Sequence, residues 1–157
     1  MIQVGDTLPQ HTFMLRQKGE ASQPGTDDLF AGKKVVMFAV PGAFTPTCSQ
    51  AHLPGFVVQA DALKAKGVDS IICISVNDSF VMEAWGNASN AEHITMLADG
   101  DGAFSDALGL AKQTGTFGGI RSVRYAMIVE DKVVKHLAVE EAGKFEVSSA
   151  EAVLAAL

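Results

Sequence analysis

Two short and nearly uninterrupted apolar runs restrict the fold of this chain more than any other feature. Residues 35–40 read VVMFAV, and residues 71–74 read IICI. A strand with one solvated face alternates apolar and polar residues, whereas a continuous run is typical of a strand buried on both faces of a sheet. The remaining patterns give the order strand, helix, strand, helix, strand, helix, hairpin, helix. This order predicts an α/β fold with a mostly parallel central sheet and an antiparallel hairpin at one side.

The boundaries of these elements follow from periodicity, turns and capping residues. Strands are predicted at 34–40, 70–76, 93–97, 124–129 and 133–137, with a short strand at 11–15, and helices at 49–66, 79–85, 105–108 and 149–156. Pro54 and Gly55 are expected to kink or split the first helix. Capping side chains precede the later helices, at Asn77, Asp78, Ser148 and Ser149. A central mixed sheet flanked by helices suits a thioredoxin-like sandwich.

Length, charge and cysteine content limit the class of protein. The 157 residues are expected to form one domain, 1–157, because 48% of them are apolar and neither a linker nor a repeat interrupts them. A formal charge of −6 without a block of basic residues argues against a nucleic-acid partner. No apolar run approaches the roughly 20 residues of a membrane span, and no secretory signal begins the chain. Two cysteines do not make a disulfide scaffold, so a cytoplasmic location without a membrane partner is expected.

Cys48 is the leading candidate for chemistry, because it follows a strand and stands at the start of a helix. Unpaired backbone N–H groups and the positive end of the helix dipole stabilise an anion there, and the thiolate is the nucleophilic form of cysteine. Pro46 stiffens the entry into the helix, and Pro41 can shield the site from water without adding an unpaired donor. The Thr45 hydroxyl can donate to a thiolate and accept from a substrate hydroxyl.

Other polar residues give weaker signals. Arg121 and Arg124 precede a late strand and are candidate cations for stabilising a thiolate. Cys73 lies inside an apolar strand, where packing is a sufficient explanation for it. Neither metal nor other cofactor is expected, because the histidines lack the spacing and the cysteine neighbours of a metal site; they are His11, His52, His93 and His136.

Several motifs in this order resemble those of the peroxiredoxins, thiol peroxidases with a thioredoxin-like fold. Pro41, Thr45 and Cys48 have the spacing of the peroxiredoxin active-site signature. Further segments are similar to the type II, or peroxiredoxin-five, branch: GAFTPTCS at 42–49, HLPGF at 52–56, SVNDSFV at 75–81 with Trp85, LAD at 97–99 and RYAM at 124–127. The similarity extends over essentially the whole chain.

The resemblance implies a role for each residue around the cysteine. Cys48 would attack the terminal oxygen of a hydroperoxide and become a sulfenic acid. Thr45 and the Cys48 backbone N–H would hold the peroxide, and Pro41 would shield the pocket. Arg124 would stabilise the thiolate and the charge on the leaving oxygen. Arg124 is preferred over Arg121 because it begins the RYAM segment that matches the family.

The same resemblance leaves the reductant and the assembly open. Cys73 matches the position of a resolving or partner cysteine in some members, which would pair with Cys48, whereas in a one-cysteine cycle glutathione, glutaredoxin or thioredoxin would reduce the sulfenic acid. The one-cysteine cycle is slightly favoured. Phe44 and Phe117 are expected to form an apolar mouth suited to alkyl hydroperoxides or part of a homodimer face. His52, one helical turn after Cys48, is expected to tune the cysteine or to orient the active-site loop, and it is predicted with Phe44 and Phe117 to belong to the substrate pocket.

Two other classes of protein compete with a thiol peroxidase. A thioredoxin-like disulfide oxidoreductase normally needs Cys-x-x-Cys, and position 51 is Ala51. A binding module that has lost its chemistry would not be expected to retain Thr45, Cys48 and Arg124 together. The resemblance therefore implies an antioxidant oxidoreductase that acts on hydrogen peroxide and alkyl hydroperoxides.

Overall fold

The structure is a computed structural model that describes residues 1–157. In chain order its elements are β1 (Leu15–Gln17), β2 (Glu20–Ser22), α1 (Thr26–Phe30), β3 (Lys34–Ala39), a π-helical segment (Cys48–His52), α2 (Leu53–Ala65), β4 (Ser70–Ser75), α3 (Ser79–Ala88), β5 (Thr95–Ala98), α4 (Ala103–Leu108), β6 (Ala111–Gln113), β7 (Ile120–Ser122), β8 (Tyr125–Glu130), β9 (Val133–Val139) and α5 (Ala150–Ala156). A five-stranded sheet in the order β5-β4-β3-β8-β9 forms the centre. β3, β4 and β5 are parallel, whereas β8 is antiparallel to both β3 and β9.

The central sheet is buried on both faces, as the continuous apolar runs predict. Successive residues of β3 point to opposite faces and belong to two separate hydrophobic clusters. Val36 and Phe38 pack on the face that is covered by α2, α3 and α5. Val35 and Met37 pack on the face that is covered by the N-terminal segment, α1 and α4. The predicted α/β fold with a mixed sheet flanked by helices is thus confirmed.

The predicted hairpin at one side of the sheet is also present. β8 pairs with β9 from Tyr125 and Val139 down to Glu130 and Val133. The two residues between the strands, Asp131 and Lys132, have φ angles of 47° and 69°. Positive φ at both central positions defines a type I′ turn, whose twist matches that of the flanking strands.

The sequence patterns did not predict the short strands outside the central sheet. β1, β2, β6 and β7 have three residues each, and all of β2 is exposed. Such strands carry too few alternations to be recognised. The strand expected at 11–15 is present only as isolated bridges at Thr12 and Met14 and as Leu15, the first residue of β1.

The first long helix is split near Pro54, as the sequence predicts. The π-helical segment ends at His52, and α2 begins at Leu53 and then continues through Pro54 and Gly55 without a break. The irregularity lies just before them, where the Leu53 N–H bonds to the Cys48 carbonyl five residues back. Proline cannot donate the next helical bond, and the wider π turn ends where the α-helical pattern resumes. No helix has the length and apolar character that crossing a bilayer requires.

The predicted caps of α3 and α5 are present. The Asp78 carboxylate accepts from the Val81 N–H at 2.9 Å, and the Ser149 hydroxyl accepts from the Ala152 N–H at 3.1 Å. Each bond satisfies one of the donors that have no partner inside the helix. Of the alternatives considered, Asp78 and Ser149 are therefore the capping residues.

Candidate active site

Cys48 lies in the first helical turn after β3, where the sequence predicts it. The first helical hydrogen bond runs from the Ser49 N–H to the Thr45 carbonyl at 2.9 Å, so Thr45 is at the N-cap position. The Cys48 N–H has no backbone or side-chain acceptor in the protein. The side chain itself is 1% exposed and belongs to the core cluster beneath α2. A sulfur atom in this position is screened from bulk water while a free N–H remains beside it.

The loop between β3 and Cys48 is held in one conformation by hydrogen bonds. The Thr45 hydroxyl donates to the Gly42 carbonyl at 2.7 Å, and the Ala43 N–H donates to the Asn77 side chain at 3.0 Å. Phe44 has a φ of 63°, a left-handed conformation that non-glycine residues rarely adopt. Because the Thr45 proton is already engaged, the lone pairs of its oxygen are directed to any donor that enters the site.

Arg124 brings a positive charge to the Cys48 sulfur from the start of a neighbouring strand. It immediately precedes β8, the strand that pairs with β3. Its NH2 atom donates to the Cys48 Sγ at 3.1 Å. A guanidinium at this distance stabilises a thiolate and remains able to bond to negative charge that develops on a neighbouring oxygen.

Arg121, the other candidate cation, serves a different loop. Its Nε and NH1 atoms donate to the carbonyls of Gly118 and Val76 at 3.1 and 3.0 Å. A side chain at position 118 would collide with this guanidinium, because its Cβ would overlap the Arg121 Nε. Arg121 therefore joins the loop between β6 and β7 to the end of β4.

His52 connects Arg124 to the segment before α5. Its Nδ1 faces the Arg124 NH1 at 2.7 Å, and its Nε2 faces the Ser148 carbonyl at 2.9 Å. Arginine can only donate and a carbonyl can only accept, so the ring must be neutral with its proton on Nε2. Burial, followed by the charge of Arg124, lowers the pKa of His52 from its ordinary value of 6.5 to about 3.

We expect this neutral histidine to make the protein less stable in mild acid. Below pH 6.5 the unfolded chain takes up a proton that folded His52 refuses until the pH approaches 3, so the free energy of unfolding falls across that window. Between about pH 7 and about pH 5, urea unfolding should show wild type losing about 2 kcal/mol more than His52→Gln. His93→Gln is the control, because His93 is exposed and should retain the wild-type loss. Equal losses in wild type and His52→Gln would contradict the assignment.

A recess of about 280 Å³ opens beside Arg124 on the protein surface. Its lining includes Pro41, Thr47 and Arg124 on one side and the segment from Glu140 to Phe145 on the other. Pro41 thus stands where it can exclude water from the guanidinium. The predicted pocket residues Phe44 and Phe117 are 55% and 67% exposed, and His52 is completely buried. All three lie outside this lining, so their place in a substrate pocket remains a prediction.

Cys73 lies in the middle of β4 and is completely buried. Its nearest strand neighbours are Phe38 and Met96, and it shares the core cluster of Cys48. Burial, with a smaller contribution from neighbouring Cys48, raises the pKa of the Cys73 thiol well above its ordinary value. Both cysteines are free thiols in the structure.

Several residues support the site through contacts that the sequence did not predict. Asn77 holds the loop at Ala43, and the Trp85 Nε1 donates to the Ser49 hydroxyl at 2.9 Å, one residue after the cysteine. Ser148 fixes His52 from a position 96 residues further along the chain. These are single polar contacts between distant segments, which periodicity and spacing cannot detect.

Known proteins resemble this chain in both sequence and fold. The family model described as Redoxin matches residues 3–154. Peroxiredoxin-2B of Arabidopsis thaliana is 47% identical over 99% of this chain and 98% of its own length. The crystal structure of reduced Prx3 in complex with H2O2 from Vibrio vulnificus superimposes with a TM-score of 0.97 at 60% identity, covering 99% of both chains. Peroxiredoxin 5 from Alvinella pompejana gives a TM-score of 0.86 at 35% identity, covering 99% of this chain and 97% of its own.

The matches cover nearly the whole chain and include both the plant peroxiredoxin-2 proteins and a peroxiredoxin 5. They contain the thioredoxin-like arrangement of a mixed sheet between helices that the sequence predicts. The chain therefore belongs to the redoxin family as a peroxiredoxin of the type II or peroxiredoxin-five branch, and it is a thiol-dependent peroxidase.

Proposed function

We propose that the protein reduces hydrogen peroxide and alkyl hydroperoxides through a sulfenic acid on Cys48. The observation that carries the proposal is the 3.1 Å contact between the Arg124 NH2 and the Cys48 Sγ. The thiolate sulfur attacks the terminal peroxide oxygen, so an S–O bond forms while the O–O bond breaks. Sulfur is oxidised, and the departing oxygen takes up a proton to become water or an alcohol.

The surrounding groups support this step by their donor and acceptor properties. The Thr45 oxygen can accept the peroxide O–H, because its own proton is given to the Gly42 carbonyl. The Cys48 N–H has no other acceptor and can donate to the same peroxide. Negative charge moves from sulfur to the departing oxygen, and the Arg124 guanidinium can donate a hydrogen bond to that oxygen without changing its position. Donors that are oriented before the reaction stabilise the transition state more than the ground state.

The recycling of Cys48 is proposed to follow the one-cysteine route. One external thiol condenses with the sulfenic acid and releases water, and a second thiol then displaces Cys48 from the mixed disulfide. Glutathione with glutaredoxin, or thioredoxin, supplies the two electrons. The burial of Cys73 and the raised pKa of its thiol support this route, because a protonated and inaccessible thiol is a poor nucleophile.

Replacing Cys73 by serine should leave turnover largely intact. The activity with hydrogen peroxide is expected to remain within about twofold of wild type when glutathione with glutaredoxin, or thioredoxin, is the reductant. Intact mass after one equivalent of peroxide should show one added oxygen in both proteins. Loss of two hydrogens in wild type, together with loss of turnover in Cys73→Ser, would instead establish a disulfide between Cys48 and Cys73. Whichever reductant sustains turnover identifies the physiological class.

We also propose that the protein is a cytoplasmic homodimer. The proposed location is supported by the two free thiols, which persist in reducing compartments. The proposed dimer is supported by the exposed aromatic side chains of Phe44 and Phe117, which a partner could cover. Sedimentation of the reduced protein gives its oligomeric state directly.

A further inference from the structure

The carboxylate of Glu140, directly after β9, is the acceptor for an entire segment of the chain. Its Oε2 atom accepts from the N–H groups of Glu146, Val147 and Ser148 at 2.7, 2.9 and 2.9 Å, and from the Ser148 hydroxyl at 2.7 Å. An ionised carboxylate offers only acceptor sites, and here all four donors converge on one of its two oxygens. Burial alone would raise the pKa of Glu140, but these hydrogen bonds outweigh it and hold the pKa below its ordinary range.

The segment that Glu140 holds has no regular structure of its own. No helix or strand lies between the end of β9 at Val139 and the start of α5 at Ala150. Three successive N–H groups, from Glu146 to Ser148, all find their acceptor in the same oxygen atom. The position of the Ser148 backbone therefore depends on this one carboxylate.

Ser148 in turn fixes the orientation of His52. The Ser148 carbonyl accepts the Nε2 proton of His52 at 2.9 Å, and both residues are completely buried. Phe38 and Phe145 lie against the imidazole, with ring centroids 4.9 Å away in each case. The aromatic rings limit tilting, and the carbonyl selects the tautomer that leaves Nδ1 free to accept.

His52 then directs the guanidinium of Arg124 toward the sulfur. One terminal nitrogen of Arg124 donates to the His52 Nδ1 at 2.7 Å and the other donates to the Cys48 Sγ at 3.1 Å. Because the guanidinium is planar and rigid, fixing one nitrogen fixes the direction of the other. Glu140 is also joined to the Arg124 backbone, since its N–H donates to the Arg124 carbonyl at 2.9 Å.

We propose that Glu140 is a positioning residue for the peroxidase reaction, acting through Ser148 and His52 to hold the Arg124 guanidinium on the Cys48 sulfur. The proposal deepens and rests on the proposed function. Glu140 contributes to the lining of the recess beside Arg124, but its carboxylate bonds to the segment from Glu146 to Ser148 and not to the Cys48 sulfur. Its contribution is to hold the His52 ring in one position and one tautomer, so that the Nδ1 atom can accept from Arg124.

Glu140→Gln tests the proposal because it keeps the size of the side chain and removes its charge. An amide oxygen is a weaker acceptor, and the adjacent NH2 group cannot accept at all. The second-order rate constant for hydrogen peroxide, measured by stopped flow, should fall about tenfold, the size of one weakened charge-assisted hydrogen bond. The control is Glu151→Gln, which removes the same charge from an exposed residue of α5 and should keep the wild-type rate.

A second measurement reports on His52 without any peroxide. Two-bond ¹⁵N–¹H correlation spectra distinguish an imidazole with its proton fixed on Nε2 from one that exchanges between tautomers. Wild type and Glu151→Gln should show the fixed Nε2–H form, and Glu140→Gln should show a shift toward the averaged pattern. A purely structural role for Glu140 would lower the unfolding temperature and leave this signal unchanged.

The outcomes separate this proposal from the proposed function. A wild-type rate and an unchanged His52 signal in Glu140→Gln overturn the positioning role, as does an equal loss of rate in Glu151→Gln. A wild-type protein that consumes peroxide no faster than free cysteine overturns the proposed function. The His52 signal would still test whether Glu140 fixes His52 through Ser148. Where Glu140→Gln does not fold, Ser148→Ala removes only one of the four donors. Its rate should fall about threefold, and an unchanged rate and His52 signal overturn the proposal.

Discussion

Cys48→Ser should consume hydrogen peroxide no faster than a solution without the protein. A serine hydroxyl is not ionised at neutral pH and is not oxidised by peroxide, so the S–O bond of the sulfenic acid cannot form. The donors around position 48 remain, but they have no nucleophile to assist. Stopped-flow mixing of reduced protein with peroxide measures the rate directly, and intact mass after the reaction should show no added oxygen.

The second cysteine provides the matched comparison for this variant. Cys73→Ser makes the same change of one atom, from sulfur to oxygen, in the same core cluster. It should retain the first oxidation step, because Cys73 contacts neither Arg124 nor the loop at Thr45 through any hydrogen bond. Rapid peroxide consumption that survives in Cys48→Ser and disappears in Cys73→Ser would reverse the assignment of the nucleophile.

Arg124→Lys should slow peroxide reduction by about 10²- to 10³-fold, although the charge is conserved. The guanidinium bonds to His52 and Cys48 through two separate nitrogens, at 2.7 and 3.1 Å. A lysine ammonium is a single point charge and cannot keep both contacts in that fixed geometry. The loss should be present in the second-order rate constant for the peroxide, because it affects the transition state in which charge leaves the sulfur.

Arg121→Lys is the control for that experiment. Arg121 lies three residues earlier and bonds only to backbone carbonyls, at Gly118 and Val76. Its replacement should weaken the loop between β6 and β7 and lower thermal stability while leaving the peroxide rate within about threefold of wild type. Equal losses of rate in the two variants would show that a general positive field, rather than the contact with the sulfur, accelerates the reaction.

The sequence was sufficient for the parts of the fold that repeat a pattern. The uninterrupted run around Ile72 requires apolar neighbours on both sheet faces, and the structure supplies them in two clusters. Capping residues such as Asp78 identified helix starts because their chemistry is local. The split expected near Pro54 is present, but the sequence did not predict its form, a π turn that ends at His52.

The residues of the candidate site also differ in whether the sequence could predict them. Cys48 and Thr45 were identifiable because a strand, a turn and a helix start lie within a few residues of each other. The choice of Arg124 over Arg121 came from resemblance alone, because both positions offer the same charge three residues apart. The sequence did not predict the contacts that lead from Glu140 through Ser148 to His52. They join residues up to 96 positions apart, which only the folded chain brings together.

The hairpin of β8 and β9 links the geometry at the sulfur to the opposite end of the sheet. Arg124 and Glu140 face each other across its open end, and their relative position follows from the strand register. That register is set by the two-residue turn at Asp131 and by a bulge between Ile128 and Val129. A one-residue slip at the turn, about 20 Å from the site, would pair Arg124 with the wrong neighbour. The accuracy of the chemistry therefore depends on a reverse turn that never approaches the substrate.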